Sequence, residues 1–74
     1  MHKLIKRYKG HPTLKWISID SCGEIYAYAA KPEPGRALRG AGWILPDTAD
    51  MFAIKWIMDL PTNCEGWEDT LVKL

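Results

Sequence analysis

Histidine and cysteine are scarce in this chain of 74 residues, which has two of each: His2, His11, Cys22 and Cys64. The four are scattered with no paired short spacing, so the ligand pattern of a zinc site is missing and no metal is expected. Nucleophilic catalysis needs a nucleophile, a base within hydrogen-bond reach and a group that orients the base. His2 lies beside the first residue and His11 precedes Pro12 in a loop, and both read as solvated. The acid pairs Asp47/Asp50 and Glu68/Asp69 fall in turns or near the last residue, without the apolar surroundings that raise a carboxyl pKa to a working range. Gly35, Gly40 and Gly42 do not follow a strand and open a helix, as phosphate-cradling loops do. The chain is therefore expected not to be an enzyme and to carry no cofactor.

Long hydrophobic runs are missing too. The longest nearly apolar stretch, Met51 to Leu60, is broken by Lys55 and Asp59 and falls short of the roughly 20 residues of a membrane span. No secretory signal is read at the start, where Leu4-Ile5 sits among lysines. The expectation is a cytoplasmic protein with no membrane association and with free thiols, since disulfides are uncommon in reducing compartments. A single domain of this size buries only about 60% of the surface its unfolded chain exposes, so its stability is thin.

Charge is balanced in sum and uneven in layout. The net charge is +1, yet residues 1–15 hold Lys3, Lys6, Arg7, Lys9 and Lys15 with no acid. From residue 40 onward, Lys55 and Lys73 face Asp47, Asp50, Asp59, Glu65, Glu68 and Asp69. The simplest reading packs the two ends near one another so that they partly neutralise; the other gives the basic end an anionic partner.

The clearest local signal is Leu14 to Ala30, which reads as a β-hairpin. Lys15 to Asp20 is rich in Trp and Ile, while Glu24 to Ala30 alternates Ile25/Ala27/Ala29 with Tyr26/Tyr28, the period of a strand. Asp20-Ser21-Cys22-Gly23 supplies the turn: the Asp carboxylate accepts from the backbone ahead, and glycine takes the left-handed position. With Asp20 near Glu24, Ile19 faces Ile25 and Ile17 faces Ala27, leaving Trp16, Ser18, Tyr26 and Tyr28 on the other side. Both faces are then apolar or aromatic, and something must cover the second.

Lys31 to Gly40 holds Pro32, Pro34, Gly35 and Gly40 and is expected to be a basic loop carrying Lys31, Arg36 and Arg39. Ala41 to Leu45 reads as a third strand stopped by Pro46, and Pro46 to Asp50 as a turn. Met51 to Leu60 is read as a strand, with Phe52, Ile54, Trp56, Met58 and Leu60 on one side and Ala53, Lys55, Ile57 and Asp59 on the other. A helix opened by Asp47 and Asp50 is the alternative. Pro61 to Gly66 is a second loop. Trp67 and Leu71, spaced i, i+4, fit a short helical turn or a final edge strand. At the other end, Leu4, Ile5 and Tyr8 form one stripe of a basic helical turn ending at Gly10. The fold class expected is α+β, mostly β: a twisted antiparallel meander of about four strands with short terminal helical or extended segments.

A Trp strand, the Asp20-x-x-Gly23 turn, Tyr26-x-Tyr28, Lys31-Pro32, Gly42-Trp43 and a late Trp67-x-x-Thr70-Leu71 together resemble small uncharacterised accessory proteins of tailed bacteriophages and prophages. Their late motif usually has serine where Thr70 stands, and Glu33 to Arg39 matches nothing in that pattern. The resemblance covers roughly residues 16–71 and brings no assigned activity. It implies an accessory product in a host cytoplasm, of a class that often acts by binding and disabling a host or host-defence protein.

The aromatic set Trp16, Tyr26, Tyr28, Trp43, Trp56 and Trp67 admits three readings. The residues can simply be the core. Trp16, Tyr26 and Tyr28 can instead stay partly exposed and, with Lys31, Arg36 and Arg39, anchor a protein partner. In the third, the aromatics stack single-stranded nucleic acid while Lys15, Lys31, Arg36 and Arg39 track phosphates. Self-association into a homodimer is a further way to cover the second face.

Overall fold

A computed structural model of the chain describes residues 2–37, 40–45 and 54–74. Its elements are helix α1 (His2–Tyr8), strands β1 (Trp16–Ile19), β2 (Glu24–Tyr28), β3 (Glu33–Ala37), β4 (Gly40–Ile44) and β5 (Ile54–Asp59), a 3₁₀ turn (Trp67–Asp69) and strand β6 (Val72–Lys73). The mostly-β α+β class expected from the residue pattern is what the chain adopts. Residues 46–53, which include the expected Pro46 to Asp50 turn and the start of the 51–60 strand, lie outside the described residues, as does Arg39.

The first hairpin forms in the register set by its turn. Ile19 pairs with Ile25 and Ile17 with Ala27. The Gly23 N–H donates to Asp20 O at 2.9 Å and the Asp20 N–H to Glu24 O at 2.8 Å. Gly23 takes φ +87°, and a Cβ there would stand 2.5 Å from the Thr62 carbonyl oxygen. Glycine is thus required twice, once by the backbone angle and once by the chain passing over it.

The expected meander is not the topology. Strand order in the main sheet is β5-β2-β1-β6, and β3 and β4 form a separate two-stranded antiparallel sheet. The expected loop from Lys31 to Gly40 therefore contains a strand, β3, paired with β4 from Glu33↔Ile44 to Ala37↔Gly40. Pro34 does not forbid it, because each strand of a two-stranded ribbon has an open edge where a missing N–H breaks no ladder. After this excursion the chain adds β5 to the free edge of β2, then crosses to add β6 to the free edge of β1.

One face of the main sheet is closed by α1. Ile17, Ile19 and Ile25 form the buried cluster, and Leu4 and Ile5 of α1 pack on it together with Ile57, Leu60, Cys64, Val72 and Leu74. The helix ends as its residues dictate: the Lys9 N–H still donates to Ile5 O, and Gly10 turns left-handed at φ +82°. His11 is no bystander. Its Nδ1 accepts the backbone N–H groups of Thr13 (3.1 Å) and Leu14 (3.0 Å), which ties the α1–β1 connection and places the ring proton on Nε2.

The other face is closed at its centre. Ser18 and Tyr28 are fully buried, as is Pro32 on the way to β3. The β4 strand docks on the Asp20 turn, where Trp43 N–H donates to Asp20 Oδ1 at 3.2 Å and the Ser21 hydroxyl donates to Ala41 O. Gly42 permits that approach, since a Cβ would sit 3.2 Å from the Asp20 carboxyl carbon.

Both alternatives for the last residues occur in succession, first the 3₁₀ turn and then β6. Because β6 reaches only Trp16 and Ile17, side chains satisfy the backbone of Ile19. Its N–H donates to Thr70 Oγ1 at 2.9 Å, and its carbonyl accepts the Trp43 indole N–H at 3.0 Å. Thr70 has one hydroxyl proton and Trp67 O, at 2.6 Å, is its nearer acceptor. The hydroxyl at the end of the Trp-x-x-Thr motif is thus a structural tie, which serine can make equally.

Two outcomes follow for urea unfolding. Gly23→Ala lowers stability by about 2 kcal/mol or more, from the left-handed angle together with the blocked approach of Thr62. Thr70→Val costs about 1–3 kcal/mol by leaving a part-buried N–H unpaired, whereas Thr70→Ser stays within about 1 kcal/mol of the parent.

Candidate binding surfaces

The registers assign each aromatic to a face and a row. On the face opposite α1, one row across the sheet is Lys73, Trp16, Tyr28 and Ile54; the next carries Ser18, Tyr26 and Trp56; the last pairs Glu24 with Asp59. A register shift in the β2–β5 pairing at Ile25/Tyr26 leaves Ile57 as the extra residue on β5. That bulge departs from the simple alternation expected for 51–60. Ile57 packs on the core, while Ile54, Trp56 and Met58 are exposed by 42%, 54% and 40%.

Of the residues singled out in the sequence, Tyr28 is corrected: it is 1% exposed and belongs to the core rather than to an outer surface. Its position in the central strand between two neighbours encloses it, and burial pushes its phenol pKa upward. The Ser18 hydroxyl favours the ionised phenol but makes no hydrogen bond of normal geometry among the described residues. Tyr26, at the next pairing level, is partly exposed; its hydroxyl donates to Glu24 Oε2 at 2.8 Å, and its ring lies 6.3 Å from that of Tyr28.

Trp16 is partly exposed and is brought together with two lysines. The ammonium of Lys31 stands 5.5 Å from its ring centroid and that of Lys73 6.0 Å. Exposed cation–π pairs of this kind are worth only about 0.5–1 kcal/mol, so the lysines hold the indole loosely. Lys73 was not singled out in the sequence, because only the β1–β6 pairing sets it beside Trp16. Arg36 is exposed on β3, in the other sheet, and is not part of this cluster. Arg39 lies outside the described residues.

At the opposite margin, sequence alternation revealed that Ile54 and Trp56 share a face but not their exposure, while the bulge takes Met58 off that face and pairs it with Ile25. Trp56 donates its indole N–H to Asp59 Oδ1 at 2.8 Å across the surface, so an acidic end closes an apolar row. Trp43 and Trp67 meet edge-on at 5.6 Å beside Thr70 and act as structure. Among the described residues no group of three or more His, Cys, Asp or Glu is placed to hold a metal, and no helix is long and apolar enough to cross a membrane. Both cysteines are free; Cys22 is exposed and Cys64 half-buried. No protein-family model, curated protein or solved structure matches the chain.

The Asp20 carboxyl is held above its ordinary value. Burial raises its pKa above 3.8, the Trp43 N–H opposes the rise, and the nearby Glu24 charge adds to it. A carboxyl with a raised folded pKa favours folding when protonated, so this contribution is present at low pH and lost as pH climbs through the folded value. Asp20→Asn keeps the acceptor for Trp43 and the turn preference without the buried charge. It is expected to match or exceed the parent's stability at pH 7, with that advantage shrinking below about pH 4. Thermal unfolding across pH 3–8 checks this.

Proposed function

We propose that this chain is a non-catalytic accessory protein of the bacteriophage or prophage type it resembles, working in the host cytoplasm by binding and inhibiting or modulating a host or host-defence protein. The supporting observation is the apolar margin of β5. Trp56 is 54% exposed beside Ile54 and the half-exposed Tyr26. A domain this short of core leaves more than half of a tryptophan in water, where it adds little to stability. Exposed Trp and Tyr are the side chains that dominate binding energy at protein interfaces.

The interface moves accordingly. Tyr28 drops out of the set Trp16, Tyr26 and Tyr28, and Ile54 and Trp56 join Tyr26. Glu24 and Asp59 stand at the end of this row, so the partner that fits presents an apolar depression with a basic rim. Bulk charge plays little part at a net +1; the anchor is the indole.

The test compares the parent with Trp56→Ala as bait in host lysate, with bound proteins identified by mass spectrometry and affinity then measured on the purified partner. Trp56→Ala should keep the parent's circular dichroism and bind its partner more weakly by about 2 kcal/mol or more. Recovery of no stoichiometric protein from several hosts counts heavily against this reading. Sedimentation that shows concentration-dependent dimers abolished by Trp56→Ala would reassign the row to a second copy of the chain.

A further inference from the structure

The pairing sorts the charged residues to opposite ends of the strands. Lys15 donates its N–H to Tyr28 O and accepts from Leu74 N, both at 2.8 Å, while Lys73 pairs with Trp16 and Lys55 with Ala27. Lys31 joins them through the Trp16 ring. At the other end stand Asp20, Glu24 paired with Asp59, and Glu65, whose neighbour Cys64 donates its N–H to Ser21 O. The ends are separated by the length of β2, about 14 Å at a strand's rise per residue, which exceeds the Debye length of about 8 Å at physiological salt. Lys55 also stands 5.6 Å from the Tyr8 ring of helix α1. Among the described residues these lysines make no ion pair, and Glu33, near Lys31 in sequence, is no exception.

We propose that the lysine-flanked indole at this end is a binding site for single-stranded nucleic acid, with Trp16 stacking a base and Lys31 and Lys73 taking the adjoining phosphates. Each ingredient has a physical reason. Both ammoniums lie within 6.0 Å of one ring, so a base on the indole brings its own phosphates within their reach. Lysine side chains are flexible and exposed here, so a base can displace them from the ring and still be flanked by their charge. Stacking on a protein ring requires a base already free of its neighbours, which selects single strands over duplex. This site is separate from the β5 margin and does not depend on the protein-binding proposal.

Fluorescence anisotropy of the full chain with a labelled oligothymidylate, measured from low to physiological salt, tests the proposal. Affinity should fall with salt at a logarithmic slope of about −1.4, since each phosphate contact on a single strand contributes roughly −0.7. Lys31→Ala with Lys73→Ala should flatten the slope to near zero. Both are exposed, so the fold is kept. Trp16→Phe should weaken binding roughly three- to tenfold at every salt concentration with the slope unchanged, and Trp56→Ala should bind as the parent does. Absence of binding at low salt, indifference to the lysine pair, or equal affinity for duplex overturns the proposal. So does equal competition by heparin or anionic lipid vesicles combined with indifference to Trp16→Phe, which would mark plain polyanion attraction.

Discussion

The four residues Asp20 to Gly23 hold the molecule together. They close the first hairpin and then receive three other segments: Leu60 N–H on Gly23 O, Cys64 N–H on Ser21 O, and β4 through Trp43 N–H on the Asp20 carboxylate and Ser21 on Ala41 O. Each such bond contributes only about 0.5–1.5 kcal/mol net, yet leaving any of these part-buried groups unpaired costs about 1–3 kcal/mol. The turn thus dictates where the later chain can lie. A charged Asp20 is the weak member of this arrangement, since the charge is partly desolvated for the sake of one acceptor.

From this hub follows the unequal treatment of the two sheet faces. One is sealed by α1 on three isoleucines. The other is sealed only in its middle, over Ser18 and Tyr28, because β3 and β4 pair with each other and anchor at the turn end of β1. The margins of that face remain open: Trp16 with its lysines on one side, Ile54 and Trp56 on the other. Among the described residues no further element covers them. The two margins differ in chemistry, one aromatic and cationic, one apolar with acids at its end. A single small sheet thereby presents two exposed margins of different chemistry.

Antiparallel pairing also turns an asymmetry of sequence into one of space. Cations from the start of β1, β5 and β6 collect at the Trp16 end, and the acids of the turns collect at the Gly23 end. The β5 bulge works in the same direction, placing Ile57 inward and swinging Asp59 beside Trp56. Neither outcome requires an unusual residue; both come from which strands are neighbours.

How much of this could be read from the residues alone divides along one physical line. The hairpin and its register, the helix ended by Gly10, the strand character of 54–59 and the structural demand for Gly23 were legible, because periodicity, turn chemistry and glycine's backbone freedom act over a few residues. The class, α+β and mostly β, followed from the same signals. Pairing between distant segments was not legible. The order β5-β2-β1-β6, the ribbon made from a proline-containing stretch taken for a loop, the burial of Tyr28, the ties made by Thr70 and His11, and the meeting of Lys73 with Trp16 each depend on which segments come together. That choice is made by the collective satisfaction of buried groups around one turn. Sequence determined what each piece is, and tertiary structure alone decided which aromatics are core and which are surface, because exposure belongs to the packed neighbours and not to the residue.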